Sequence, residues 1–201
     1  MTDEIVFYHN PRSRAQMVHW MLEEAGAPYR IVPIDFEKGE HKTPSFLALN
    51  PMGKLPTIVH RDTVVTETAA IIAYLADTFP KAGLAPALSD PSRGTYYRWL
   101  FFGAGCFEPA LLDEMMKRPA PPQKTAVGWG SYGEVVAAFK TALAKGPYLL
   151  GDKFSAADVY VGSQIRWAMM FGAPGLKGEK VFDDYVAQLN ARPALQRVSG
   201  Q

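Results

Sequence analysis

The hydrophobic period of this chain changes once, near residue 80, and that change limits the folds available to it. Before it, short apolar runs such as Ile5–Tyr8 and Tyr29–Ile34 alternate with apolar residues at helical spacing. After it, the apolar patterns have helical spacing and none indicates a strand. We therefore predict an α/β domain followed by an all-helical domain.

The N-terminal part predicts the element order strand, helix, strand, helix, strand, strand, helix. The last two strands, Thr57–Val59 and Thr63–Val65, are separated by three polar residues, as in an antiparallel hairpin. The helices are expected around Met17–Glu24, Phe46–Leu49 and Ile71–Phe79. This order is typical of a small domain built on a mixed sheet.

The predicted domain boundaries follow from the same patterns. Residues 1–80 form the α/β domain, residues 81–90 form a proline-containing linker, and residues 91–201 form the helical domain. Helices of the second domain are predicted at Tyr96–Phe102, Val135–Leu143, Val159–Phe171 and Val181–Leu189.

Charge and hydropathy exclude several classes of partner. The 201 residues carry 21 Lys+Arg and 20 Asp+Glu, a net charge of +1 that provides no electrostatic attraction for nucleic acid or an anionic membrane. There is no apolar run long enough for a membrane span and no signal-peptide pattern at the start. We expect a soluble cytoplasmic protein.

Cysteine usage narrows the chemistry further. Cys106 is the single cysteine, so the chain cannot form an internal disulfide, a CxxC redox pair, a zinc ribbon or an iron–sulfur site. Its aromatic neighbours in the helical domain indicate a packing role.

The segment Met52–Pro56 precedes the third predicted strand. Proline lacks the N–H for a ladder hydrogen bond, so it belongs at a strand start or a sheet edge. If the Leu55–Pro56 bond is cis, Leu55 turns its N–H and C=O towards a peptide-like ligand that adds to the sheet edge. The alternative is an ordinary trans proline, since only about 5–6% of X–Pro bonds are cis.

The segment Thr66–Ala70 joins the last strand to a strongly apolar helix. Its polar residues could form a plain helix N-cap. Alternatively, the backbone N–H of Thr68 and the helix dipole bind a ligand carboxylate, while Glu67 pairs with an ammonium group of the same ligand. One zwitterionic amino-acid group would satisfy both.

Three segments carry a combined signal that none of them carries alone: Asn50–Pro56, Glu67–Ile71 and Phe154–Asp158. In this order and spacing they resemble cytosolic glutathione transferases, of a bacterial type with theta- and beta-like motifs. The resemblance extends over nearly the whole chain and implies a thioredoxin-like N-terminal domain before the all-helical one. The third segment is better explained by structure, because Ser155 and Asp158 approximate a capping box.

The resemblance also implies which residues bind glutathione. Leu55, preceding a cis Pro56, would pair with the cysteinyl part, and Glu67 with Thr68 would hold the γ-glutamyl group. His41 and Lys54 stand where theta- and beta-like members contact the glycyl end, although His41 could equally be a solvated loop residue. Glutathione would serve as co-substrate, and no metal or other cofactor is implied.

The group that activates the thiol is less clearly marked. Glutathione must be held as a thiolate to be nucleophilic, which requires a hydrogen-bond donor and a positive helix end. The resemblance favours Ser13, with Asn10 and Arg12 as further candidates, although Ser13 could simply cap the first helix. Tyr8 is expected to pack structurally. The absence of a cysteine at this corner argues against members that form mixed disulfides.

The predicted function is conjugation of glutathione to small hydrophobic electrophiles by a homodimer, with no nucleic-acid or membrane partner. Glutathione-dependent isomerisation, dehalogenation or peroxide reduction on the same scaffold remains open. So does a non-catalytic binding module, although the presence of both binding motifs favours glutathione binding.

Overall fold

The computed structural model describes residues 3–200, which form two compact units. The first unit runs to Leu84 and also takes in the residues from Pro193 onward, and the second spans Ala85–Arg192. The final segment, which the sequence prediction assigns to the helical domain, thus makes its contacts with the α/β unit. Among the described residues, no helix is long and apolar enough to cross a membrane.

The first unit is built on a mixed four-stranded sheet, as the sequence predicts. Its strands are β1 Ile5–His9, β2 Tyr29–Pro33, β3 Thr57–His60 and β4 Thr63–Thr66. They lie in the order β2-β1-β3-β4, with β1 parallel to β2 and antiparallel to β3. Strands β3 and β4 form the antiparallel hairpin.

The helices of the first unit cover the sheet. They are α1 Ala15–Ala25, α2 Pro44–Leu49 and α3 Thr68–Thr78, and the last helix of the chain, α9 Pro193–Ser199, joins them. Helix α1 packs against both α3 and α9 and buries Trp20 and Leu22 completely. It ends at Gly26, whose φ of 59° suits a residue without a Cβ.

A chain of polar contacts ties α9 to the rest of the first unit. The Nε of Arg197 donates to Glu23 at 2.6 Å, and the Tyr29 hydroxyl donates to the other Glu23 oxygen at 2.7 Å. The Tyr29 oxygen also lies 2.9 Å from Nε2 of His19. Arg197 holds the pKa of Glu23 below its usual value, and burial lowers the pKa of His19. At neutral pH an ionised Glu23 therefore faces a neutral His19.

The second unit is built of helices, as predicted, with two isolated β-bridges at Tyr148–Lys153. Its first helix continues further than the sequence pattern indicates. Helix α4 Ser92–Phe102 runs through a π-helical turn, Gly103–Phe107, into α5 Glu108–Met115. Glycines and a proline in this segment interrupt the hydrophobic pattern, so the sequence does not predict the continuation. At Gly103 a Cβ would lie 2.8 Å from Oε1 of Gln164 and 2.9 Å from a ring carbon of Tyr160, so glycine permits this close approach of α7.

The remaining helices of this unit enclose its core. They are α6 Tyr132–Leu143, α7 Ala156–Met170 and α8 Lys180–Asn190. At the centre, Trp99 stacks on Phe139 with 5.5 Å between ring centroids, and Phe107 meets the same ring edge-on at 5.0 Å. Such aromatic pairs contribute about 0.5–1.5 kcal/mol beyond the area that they bury.

The start of α7 contains the capping arrangement that the sequence predicts. The fully buried carboxylate of Asp158 accepts hydrogen bonds from the N–H and Oγ of Ser155, at 2.9 and 3.0 Å. It also accepts from the N–H of Leu149 and the hydroxyl of Tyr185, at 2.9 and 3.0 Å. Burial outweighs these bonds and raises the pKa of Asp158 to about 6.

We expect this carboxyl to make stability depend on pH. Its pKa is about 6 in the folded chain against an ordinary value of 3.8, so the folded state keeps the proton to higher pH than the unfolded state does. The unfolding free energy of the wild type, relative to Asp158→Asn, should fall by about 2 kcal/mol as pH rises from 4 to 7.

Urea denaturation of both proteins across this pH range measures the difference. The buried histidines are present in both chains, so their titration cancels. A difference that stays constant with pH, or that grows in favour of the wild type, would contradict the raised pKa.

Candidate functional site

The sheet register brings the predicted binding segments to one edge. Tyr8 in β1 pairs with Thr57 in β3, and Thr57 pairs with Thr66 in β4. Strand β2 runs parallel to β1, so its carboxyl end reaches the same edge. Four segments therefore lie close in space although they are far apart in sequence. They are the residues that follow β1, β2 and β4 and those that precede β3.

The entry to β3 has a cis peptide bond between Leu55 and Pro56. Leu55 is buried, yet its N–H and C=O form no hydrogen bond with any residue of the described range. Asn50 holds the preceding loop, because its amide donates to the C=O of Lys54 at 2.9 Å and to Oγ1 of Thr57 at 3.3 Å. The Leu55 backbone is thus a preformed donor and acceptor pair at the sheet edge.

The start of α3 leaves its backbone donors open. Glu67, with φ 65° and ψ 120°, makes no side-chain capping bond, which rules out the plain N-cap role for it. Among residues 3–200, the N–H groups of Thr68, Ala69 and Ala70 have no acceptor. A non-glycine residue held in a disfavoured conformation costs about 1–3 kcal/mol, and such residues concentrate at functional sites.

The Glu67 side chain completes this end of the helix. It is exposed, and nothing in the described part of the chain pairs with its carboxylate. The open N–H groups favour a negative group, and the carboxylate beside them favours a positive one. This pairing is complementary to the zwitterionic head of an amino acid.

The loops that carry His41 and Lys54 pack against each other. The Nζ of Lys42 donates to the C=O of Met52 at 3.0 Å. A Cβ on Gly53 would lie 2.7 Å from the His41 carbonyl oxygen, and its φ of 59° also requires glycine.

Both predicted side chains of these loops retain unused polar groups. His41 packs edge-on against Phe36 at 5.0 Å, and its buried Nδ1 has no partner in the described range. The ammonium of Lys54 is exposed and likewise pairs with none of the residues from 3 to 200. His41 is thus a partly packed ring and not a freely solvated one.

The corner between β1 and α1 is organised by Asn10. Its buried side-chain amide donates to the C=O of Ile34 at 2.8 Å, and its Oδ1 accepts from the N–H of Arg12 at 2.8 Å. Both ends of this amide are therefore used to shape the turn. The guanidinium of Arg12 is exposed and bonded to Glu37 at 2.8 Å.

The hydroxyl of Ser13 is also engaged in local bonds. It donates to the C=O of Asn10 at 2.7 Å and accepts from the N–H of Ala15 at 3.1 Å. A bond to a thiolate requires this hydroxyl to rotate. The Asn10 carbonyl also accepts from the Ser13 N–H at 3.1 Å, so it keeps a partner after that rotation.

The two aromatic residues at the end of β1 serve packing. The ring of Tyr8 meets Phe46 edge-on at 5.6 Å, which agrees with its predicted structural role. His9 lies 5.4 Å from His19, and its pKa is lowered by burial and then by repulsion from His19 when that ring is protonated. His9 is therefore neutral at physiological pH.

The sequence did not predict the residues that hold the site loops in place, such as Asn50. The sequence prediction included Asn50 in the segment Asn50–Pro56 but gave its side chain no role, whereas that side chain orders the loop before Leu55. The signal available was an asparagine directly before a proline, which marks a turn organised by its side chain.

Family models match both parts of the chain. "Glutathione S-transferase, N-terminal domain" matches residues 4–77, and "Glutathione S-transferase, C-terminal domain" matches residues 110–199. Among curated proteins, the "Probable glutathione S-transferase GSTF2" of Oryza sativa subsp. japonica is 33% identical over 89% of this chain and 87% of its own length.

Solved structures give the same result. A glutathione transferase homologue from Sulfitobacter with bound glutathione has 28% identity and a TM-score of 0.77, covering 99% of this chain and 98% of its own. A family member from Pseudomonas fluorescens with two glutathione bound has 25% identity and a TM-score of 0.80, covering 98% and 92%. With both family models and a relative matched over 87% of its length in agreement, the chain belongs to the glutathione S-transferase family.

Proposed function

We propose that this protein is a glutathione transferase that conjugates the glutathione thiolate to small hydrophobic electrophiles. The observation that carries the proposal is the open start of α3, where unbonded N–H groups adjoin the unpaired carboxylate of Glu67. A γ-glutamyl group has both a carboxylate and an ammonium at the spacing of one amino acid. The two features of the site thus select the same part of one ligand.

The other site residues accommodate the remainder of the tripeptide in this proposal. The cysteinyl residue pairs its backbone with the free N–H and C=O of Leu55, next to Pro56. The glycyl carboxylate lies towards Lys54 and His41. Because these groups belong to loops that already pack together, little ordering is required on binding.

The chemical step in the proposal is nucleophilic attack by the thiolate on an electrophilic carbon. The sulfur lone pair forms the new C–S bond, and a leaving group departs with its electron pair or, in an addition, a carbanion takes up a proton. Ser13 donates its hydroxyl hydrogen to the thiolate after rotating from Asn10, with Asn10 and Arg12 shaping the turn. Glutathione supplies the thiol, so the proposed reaction uses no metal or redox cofactor.

The cellular setting is also part of the proposal. We infer a cytoplasmic homodimer that detoxifies reactive compounds and has no nucleic-acid or membrane partner. The net charge of +1 and the membership in this family support that inference. Exposed apolar side chains, such as Met52 and Phe101, provide surface that a second copy would cover.

Glu67→Gln is expected to weaken glutathione binding by about 10- to 100-fold, because a charge-assisted hydrogen bond of about 1.5–3 kcal/mol loses its ionised partner. Isothermal titration calorimetry measures the change. Asp62→Asn is the matched control, since Asp62 is an exposed acid in the turn at the other end of the β3–β4 hairpin. Equal affinity for the two variants would contradict the binding model.

Ser13→Ala is expected to raise the pKa of bound glutathione towards the free thiol value and to lower kcat/KM for an activated aryl chloride about 100-fold. Thiolate absorbance and conjugation rates measure these effects. Ser13→Thr, which keeps a hydroxyl, should restore most of the activity.

Two results would contradict different parts of this proposal. Wild-type conjugation by Ser13→Ala would remove Ser13 from catalysis and leave the fold and the binding site intact. A bound thiol pKa no lower than that of free glutathione would instead contradict the transferase activity and favour a binding module.

A further inference from the structure

The chain between α5 and α6 contains the sequence Arg-Pro-Ala-Pro-Pro-Gln-Lys at residues 118–124, which the proposed function does not use. We call these residues the proline segment. All of them are exposed except Pro121, which is half-buried. None of the residues assigned to glutathione belongs to this segment.

Proline chemistry restricts the backbone of the proline segment. The ring of proline fixes φ at about −65°, and a residue that precedes proline is restricted to extended conformations. Arg118, Ala120 and Pro121 each precede a proline, and Gln123 is extended, with φ −127° and ψ 111°. These restrictions favour polyproline II, a helix that repeats every three residues. Positions 119 and 122 are therefore on one face, about 9 Å apart along its axis.

The backbone polar groups of the proline segment are open. Within the part of the chain that the structure describes, the N–H of Ala120 and the C=O groups of residues 118–122 form no hydrogen bond. A polyproline II helix has no internal hydrogen bonds, so its carbonyl groups remain available to donors from another molecule.

Both ends of the proline segment are fixed. The N–H of Lys117 donates to the C=O of Glu114 at 3.1 Å. The N–H of Arg118 donates to the C=O of Asp113 at 2.9 Å, and with Lys117 at φ 51° this is a Schellman arrangement that ends α5. A 3₁₀ turn, Lys124–Ala126, follows the prolines. The segment is thus held in place before any partner binds, which lowers the ordering cost of association.

The charge around the proline segment has one sign. Residues 115–133 contain three basic side chains and no acidic one, in a chain whose net charge is +1. Arg118 is paired with Asp113, whereas the ammonium groups of Lys117 and Lys124 form no ion pair with any residue from 3 to 200. A surface complementary to this segment therefore combines carboxylates with an apolar groove.

We propose that the proline segment is the docking site for a partner protein domain whose groove is lined with aromatic side chains and flanked by carboxylates. The aromatic rings contact Pro119 and Pro122, as SH3 domains contact proline-rich helices. The carboxylates pair with Lys124, two residues after the second proline. Docking makes or breaks no covalent bond and does not depend on the proposed glutathione chemistry.

The probe for the test is an isotope-labelled SH3 domain, selected from a panel for binding a synthetic peptide of residues 115–126. NMR titration with the whole protein should shift the resonances of the aromatic groove and reach saturation. Pro122→Ala should weaken binding about tenfold, because one of the two groove contacts is lost. Lys124→Gln should weaken it about threefold, the scale of an exposed ion pair.

The matched controls are Pro174→Ala and Lys145→Gln, since both residues are exposed in the same helical unit and lie outside the proline segment. They should bind the SH3 domain like the wild type, and all four variants should keep wild-type melting temperatures and conjugation rates.

Four results would overturn the proposal. The first is a panel in which no SH3 domain binds the peptide, and the second is binding of the peptide without binding of the whole protein, because the segment would then be covered in the folded chain. The third is an equal loss of affinity in Pro122→Ala and Pro174→Ala. The fourth is self-association of the protein that Pro122→Ala abolishes, which would assign the segment to a contact between two copies.

Discussion

The pairing of β1 with two neighbours of opposite direction is the constraint on which the first unit depends. Because β2 runs with β1 while β3 runs against it, the ends of β1, β2 and β4 and the start of β3 meet at one edge. Strand pairing alone places residues as distant in sequence as Asn10 and Thr68 at that edge, and their side chains need not touch. A register slip of one residue in β3 would turn its side chains to the opposite face and displace Leu55 from that edge. The position of the site thus depends first on the pairing of the strands and only then on any single residue.

Two helix starts in this chain show opposite uses of the same chemistry. In the first turn of α7, the carboxylate of Asp158 accepts from Ser155, Leu149 and Tyr185, so this acid is used within the fold. Directly before α3, Glu67 makes no capping bond, and the first N–H groups of the helix stay open. An acid that is bonded within the fold has nothing left for a ligand. The open start of α3 carries an energetic cost in the free protein that a bound carboxylate can offset.

Periodicity was sufficient to predict the four strands, the main helices and the order of the two units, because each depends on local patterns of apolar residues. The motifs around Leu55 and Glu67 could be located because a proline before a strand and polar residues before an apolar helix are recognisable in the sequence. Three features could not be predicted. The π-helical turn that joins α4 to α5 is bonded by the distant Gln164, whose amide donates to the C=O of Gly103. The engagement of Ser13 depends on the conformation of the Asn10 turn. The docking of α9 depends on Arg197 and Glu23, which are far apart in the chain.

That last contact has a consequence for how the protein is made. Arg197 belongs to the end of the chain but completes the polar network of the unit at its beginning. During synthesis, the sheet and α1 to α3 leave the ribosome long before α9 exists, and all of Ala85–Arg192 is translated in the interval. The α9 side of α1 is therefore covered only after that stretch has been translated. Residues 3–84 and the segment from Pro193 onward are in this way one compact unit, and Ala85–Arg192 is an insertion within it.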